Sequence, residues 1–335
     1  MLQQTANEAW AKRRLILAAC AGVLVLLTAA PVSAQVEIFP SYVQWAVAPA
    51  FSGEQSSRIN ISGVACVAIG ARGCLAVNDS SNFAQFFGLG THKITPVSVI
   101  PLQPNQVGNF TFRSVDAEGA AFDDNHFYVV GSRGQASSAT DEADFLAFRF
   151  KFDPAHPPVP PNLPRVERSE RLREAINTAL QSGLFGSPLL RPQAFDIEGV
   201  AVKDGKMFVG FRAPSVNGKA FIMTVNADAV FGTGNLNIDV KALNLGQGIG
   251  IRDLAMISTG ILVLSGPSTD VAAAPSLFHF NVDTGLVSLL GNIVEPADRK
   301  AEALLVLQED PEFVRFLLMF DGIENGGPIE YFVSR

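Results

Sequence analysis

With 335 residues, 48% of them hydrophobic and 17% charged, the chain is ample for a large folded core. Its net charge of −7 argues against nucleic acid or an anionic membrane surface as a partner. Cations, carbohydrates or another protein remain acceptable ligands.

The first 34 residues read as a targeting segment. Lys12, Arg13 and Arg14 precede an apolar run from Leu15 to Ala30, and Val32-Ser33-Ala34 is a small-residue cleavage site. The expectation is an exported protein, periplasmic or secreted, that starts at Gln35 and has no membrane association after cleavage. An uncleaved anchor is the alternative, but the run is short against the roughly 20 residues of a membrane span. Cleavage removes Glu8 and three cations, which moves the net charge from −7 to −9.

From residue 35 onward the chain repeats. Ser62-Gly63-Val64-Ala65, Glu118-Gly119-Ala120-Ala121, Glu198-Gly199-Val200-Ala201, Arg252-Asp253-Leu254-Ala255 and Glu302-Ala303-Leu304-Leu305 each open a strand-like run. Their starts are 56, 80, 54 and 50 residues apart. A period of roughly 50 residues built from short strands is the mark of a β-propeller. Second strand-like runs follow after polar turns, at Cys74–Asn78, His126–Gly131, Met207–Arg212, Ile261–Ser265 and Phe313–Phe320. The prediction is an all-β chain forming a single β-propeller domain over 35–335, of about five blades, with six as the alternative. Val43-Gln44-Trp45-Ala46-Val47 is expected to supply the missing fourth strand of the last blade, leaving no open edge.

Two local features interrupt or decorate the repeat. Cys66 and Cys74 flank a turn signal and are expected to form a cross-strand disulfide in an oxidising compartment. The long interval contains an insertion at about 155–192. It begins Pro-rich and continues over Arg168–Leu184 with Leu172, Ile176, Ala179 and Leu180 at helical spacing. That spacing predicts one amphipathic helix packed on the rim, with a lid over a site as the sharper alternative.

Familiar catalytic motifs are missing. There is no G-x-S-x-G, H-E-x-x-H, C-x-x-C or G-x-x-x-x-G-K-[ST], and Gly246, Gly248 and Gly250 lack dinucleotide-binding spacing. What remains is a set of carboxylates at equivalent points of successive blades. In a propeller the start of each first strand lines the central channel, so Glu118, Glu198, Asp253 and Glu302 would face one axis. Their mutual repulsion requires relief, and three routes exist: bound Ca²⁺ held by these four residues, basic partners such as Arg252, Arg212, Lys300 or Arg133, or a retained proton suited to acid–base work. Acidic residues at strand starts can also bond backbone N–H groups of the next blade and simply lock blade to blade. Asp79 and Asp321, at the ends of second strands, are expected near the same mouth.

Asp116-Ala117-Glu118-Gly119, Phe195-Asp196-Ile197-Glu198-Gly199-Val200, Met207 to Pro214, Gly250-Ile251-Arg252-Asp253-Leu254 and Ser265-Gly266-Pro267 together resemble the bacterial domain of unknown function 3616 family. The resemblance implies a propeller-like exported protein without an assigned activity. A looser similarity of the Glu-Gly repeats links the chain to esterase-like phytase propellers. The functional expectation is a monomeric module that binds a small molecule or a protein through an acidic, Ca²⁺-accepting channel. The alternative is a metal-dependent phosphoester or ester hydrolase working through the channel carboxylates.

Overall fold

The computed structural model describes residues 36–70, 73–111, 114–132, 145–156, 158, 160–269, 273–297 and 299–335. The targeting segment, its cleavage site and Arg133 lie outside the described residues.

The chain begins with three short strands, β1 (Glu37–Ile38), β2 (Pro40–Gln44) and β3 (Ala46–Val47), then a short helix α1 (Gln55–Ile59). The first blade follows as β4 (Ile61–Cys66), β5 (Cys74–Asn78), β6 (Phe83–Gly90) and β7 (Lys93–Pro101). A two-stranded ribbon, β8 (Gln106–Val107) and β9 (Phe110–Thr111), leads into the second blade. That blade contains β10 (Ala117–Asp123), β11 (His126–Gly131), β12 (Ala147–Lys151) and β13 (Glu167–Ser169), followed by α2 (Arg171–Gln181). The third blade is β14 (Asp196–Lys203), β15 (Lys206–Ala213), β16 (Lys219–Asn226) and β17 (Asp239–Asn244), with the helical turn α3 (Ala227–Val230) after β16. The fourth is β18 (Ile249–Ile257), β19 (Gly260–Pro267), β20 (Ser276–Phe280) and β21 (Val287–Ile293). The last blade has β22 (Lys300–Glu309), β23 (Phe313–Asp321) and β24 (Ile329–Ser334), and β2 completes it.

This is an all-β, five-bladed propeller. The inner strands β4, β10, β14, β18 and β22 neighbour one another in sequence order, and β22 returns to β4. Each interface between successive blades carries its own apolar core, so five separate cores surround the axis. A blade is therefore covered on both faces. That is why β11 reads Phe-Tyr-Val-Val and β19 reads Ile-Leu-Val-Leu as continuous apolar runs rather than alternating ones.

The ring is closed from the N-terminus as expected, but the closing segment does more than add one strand. β2 pairs antiparallel with β24, β1 pairs parallel with β21 of the fourth blade, and β3 pairs parallel with β7 of the first. The run Val43 to Val47 is thus divided between two blades. Eleven residues clasp three consecutive outer edges, and Ile38 is buried in the core between the fourth and fifth blades.

The 155–192 insertion is smaller than the sequence suggests. Glu167–Ser169 pairs with β12 as the outermost strand of the second blade, which shortens the helix to Arg171–Gln181. Its apolar face, Leu172, Ala175, Ile176 and Ala179, is buried in the core between the second and third blades. Cys66 and Cys74 are directly opposite across β4 and β5 and are joined by a disulfide.

Candidate functional site in the channel mouth

The first residue of each repeat owes its direction to a bulge. Pairing between first and second strands slips between Ile61 and Gly63, Ala117 and Gly119, Ile197 and Gly199, Ile251 and Asp253, and Ala301 and Ala303. The residue left over is Ser62, Glu118, Glu198, Arg252 and Glu302 in turn. A bulge adds one unpaired residue and re-aims its side chain. Five bulges at one level place three carboxylates, a guanidinium and a hydroxyl around the axis.

The next position brings the inner strands close enough to hold that level narrow. A Cβ on Gly119 would lie 2.8 Å from Val200 N, and one on Gly199 would lie 2.9 Å from Asp253 Cα and Leu254 N. Glycine is required there because neighbouring backbones are already in contact.

Together these residues line a cavity of 80 Å³ with Asn60, Asp79, Arg212, Lys300 and Asp321. A second, apolar cavity of 170 Å³ is lined by the later residues of the same strands, such as Ala65, Ala121, Ala201 and Leu305. The channel is therefore charged at one mouth and apolar at the other.

The cations of the charged mouth are engaged. Arg252, almost fully buried, donates through Nη1 to Glu302 Oε1 and Oε2 at 3.0 and 3.2 Å and lies 3.6 Å from Glu198 Oε2. Its Nη2 donates to Pro267 O at 3.2 Å. Arg212, itself the extra residue where pairing slips between Asp196 and Ile197, places Nε 2.8 Å from Asp196 Oδ2 and 3.3 Å from Glu198 Oε1. Lys300 Nζ is 2.5 Å from Glu302 Oε1 and 3.8 Å from Asp321 Oδ2. Ser62 Oγ donates across to Ala117 O at 2.5 Å. Glu118 differs: no described residue donates a hydrogen bond to it or forms a salt bridge with it.

Burial raises the Glu118 carboxyl well above its ordinary range, and the Glu198 and Asp116 carboxylates push it further. Glu198 is raised well above its range too, first by burial and then by Glu302, against the opposing pull of Arg252. Burial also lifts Asp79, although Ser80 donates to it at 2.5 Å. The mouth thus holds carboxyl groups that retain protons more readily than free ones do.

Of the residues singled out from sequence, the mouth unites Asp79, Glu118, Glu198, Arg212, Arg252, Glu302 and Asp321. Asp253 does not join them. It occupies the glycine position of its repeat, one residue past the bulge, and its oxygens accept from Leu254 N at 2.8 Å and Leu304 N at 2.7 Å. The four residues expected to hold Ca²⁺ therefore do not converge: Asp253 is bound to backbone, and Arg252 stands between Glu198 and Glu302. No group of three His, Cys, Asp or Glu side chains among the described residues is placed to hold a metal ion. Asn60 was absent from the sequence-derived set. Its position, two residues before the repeat's first residue, was the available signal. The helix α2 contributes nothing to the mouth.

No curated protein matches this chain. Among solved structures it is similar to a protein from Lactobacillus plantarum, with 13% identity, a TM-score of 0.38, and coverage of 80% of this chain and 67% of that one. It is also similar to an exo-β-1,3-galactanase from Phanerochaete chrysosporium (10% identity, TM-score 0.46, 87% of this chain and 63% of that one). A third is a xylan β-1,4-xylosidase from Bacillus halodurans (11%, 0.44, 85% and 54%). The chain thus spans between about half and two thirds of the length of these proteins. Residues 167–324, from the last strand of the second blade to just past the fifth blade's second strand, match the model of a protein of unknown function, DUF3616.

Proposed function

We propose that the protein is an exported ligand-binding propeller whose charged mouth receives a cationic group of a small molecule. One observation carries this reading: Glu118 stands in the mouth without a partner among the described residues, beside a second carboxyl that raises its proton affinity. Arg212, Arg252 and Lys300 already face protein carboxylates, so the free capacity of the site is for a hydrogen-bond donor with positive charge. A bound ammonium or guanidinium would relieve the Glu118–Glu198 repulsion. At 80 Å³ the cavity takes several waters or one functional group of a larger molecule. Export is supported by the leading basic and apolar segment and by the Cys66–Cys74 disulfide.

Metal-dependent hydrolysis is the less favoured reading, because three of the four carboxylates it would recruit, Glu198, Asp253 and Glu302, already have protein partners. Calorimetric titration with a primary diamine, an amino sugar, a neutral sugar, an organic anion and Ca²⁺ tests the proposal. Saturable binding of the amines, lost in Glu118→Gln, is the expected result. Preference for the anion, or amine binding unchanged by Glu118→Gln, would overturn it.

A further inference from the structure

We propose a second binding site, for a small apolar carboxylate such as an aryl-substituted acid, between the N-terminal clasp and the turn before β24. The cavity there measures 440 Å³, larger than the charged mouth, and is separate from it. Pro40, Trp45 and Val47 of the clasp and Pro296, Pro328 and Ile329 opposite supply its apolar patches, and Ser41, Gln44 and Asn325 are polar positions among them. Such patches suit an aromatic or aliphatic body.

Two charged residues face this space. Glu324 is already held by Arg58, whose Nε donates to Glu324 Oε1 at 2.5 Å. Arg299 has no such counterpart among the described residues. Its guanidinium stands 5.4 Å above the Phe320 ring, and its Nη1 makes only a 3.3 Å hydrogen bond to Gly327 O. No described carboxylate pairs with it. A guanidinium fixed over an aromatic face, with donors left over, is suited to gripping a carboxylate through two parallel hydrogen bonds. Trp45 and the prolines beside one uncommitted guanidinium fit an acid that carries an aromatic group.

The aromatic wall is held in place. Trp45 Nε1 donates to the buried Glu330 at 2.8 Å, and its ring packs edge-on against His92 at 5.7 Å. The indole face is thereby oriented before any ligand arrives. Because clasp residues and fifth-blade residues build the cavity jointly, an occupant would also hold the ring closed.

Trp45 supplies its own reporter. The chain has two tryptophans, Trp10 and Trp45, and only Trp45 is among the described residues. In the full chain carrying Trp10→Phe, titration with phenylacetate is expected to change Trp45 emission saturably and to raise the thermal midpoint. Phenethylamine, matched in shape but opposite in charge, should do neither. Arg299→Gln should weaken phenylacetate binding by about tenfold or more. Arg299→Lys, which keeps the charge but loses the fork, should fall between. No saturable response to phenylacetate, an equal response to phenethylamine, or equal affinity in a folded Arg299→Gln protein would each overturn the proposal. If Arg299→Gln does not fold, the acid-against-amine comparison on the unaltered site and the Arg299→Lys series still decide it.

Discussion

The Asp253 carboxylate reaches across from the fourth blade to accept the backbone N–H of Leu304 in the fifth, at 2.7 Å, while its other oxygen accepts Leu254 N at 2.8 Å. Asp253 is about 1% exposed, so neither amide has water as a substitute partner. Three of the other repeats have Gly at this place, directly before Val or Ala, and there the next blade's backbone lies 2.6, 2.8 and 2.9 Å from where a Cβ would stand. Asp253 thus fastens an interface that lacks the glycine.

Asp253→Ala leaves two buried N–H groups without acceptors and should cost about 2–6 kcal/mol, at roughly 1–3 kcal/mol for each unsatisfied group. Asp253→Asn keeps one acceptor and should cost less than half as much. Equilibrium urea unfolding of both variants measures this. Ligand binding at the mouth should survive in each variant under folding conditions, since Asp253 contributes no lining atom.

Stability should also respond to pH through Glu118 and Glu198. Both carboxyls are raised above the ordinary value of 4.5 in the folded protein, by burial first and then by neighbouring carboxylates. The native state then binds protons more tightly than the unfolded chain does. Their contribution to stability is complete below pH 4.5 and is lost as pH rises through the raised native values. Glu118→Gln removes one of the two protons from this balance. It should unfold at higher urea concentration than the parent at pH 8, while the difference shrinks or reverses near pH 4. A parent protein whose urea midpoint is flat across that range would contradict the account.

The five-fold repeat was readable because each inner strand starts with a similar short pattern, and because four of the five bulge residues carry charge. Reading Ser62, Glu118, Glu198, Arg252 and Glu302 as equivalent already located the mouth, and the turn-ending Asp79 and Asp321 fell beside it. Asp253 was misplaced for a physical reason. One residue of offset along a strand changes the face on which a side chain emerges, and an acidic residue one position late looks the same in composition. The outermost strands were the hardest to see. β13 has three residues, two of them charged, and β1 and β3 have two each, so none carries a period-2 signal. Their pairing is dictated by edges supplied from blades distant in sequence. The cavity beside Trp45 was invisible for the same reason, since residues near 40, 299 and 328 meet only after the ring has closed.

Arg252 is the hub of the mouth's charge balance, and removing it should cost more than any other single change there. Arg252→Gln would leave Glu198 and Glu302 facing each other in a buried site without their shared cation. Breaking such a buried pair costs about 3–5 kcal/mol. Combining Arg252→Gln with Glu302→Gln removes most of the uncompensated charge and should recover a large part of that loss. The double-mutant cycle, measured by thermal unfolding at pH 7, should therefore show strong coupling of the favourable sign. Additive losses would mean that Arg252 acts through packing of its stem, not through its charge.

The closeness of adjacent inner strands makes a prediction that is independent of charge. At Gly199 an added Cβ would be 2.9 Å from Asp253 Cα and Leu254 N, and both are backbone atoms that cannot rotate aside. At Gly90, on the periphery of the first blade, the nearest atoms to an added Cβ are Lys93 O at 3.7 Å and Lys93 Cβ at 3.8 Å, ordinary contacts. Gly199→Ala must push the third and fourth blades apart at the level of the charged mouth. Overpacking of this kind costs about 1–3 kcal/mol. Gly90→Ala should be neutral or stabilising by about 0.4–1 kcal/mol, because it restricts the unfolded chain without strain in the fold. The two substitutions add the same methyl group, so urea midpoints moving in opposite directions would tie the Gly199 effect to inter-blade distance. A folded Gly199→Ala protein should also bind mouth ligands more weakly, since widening that ring displaces Glu198 and Arg252 from each other.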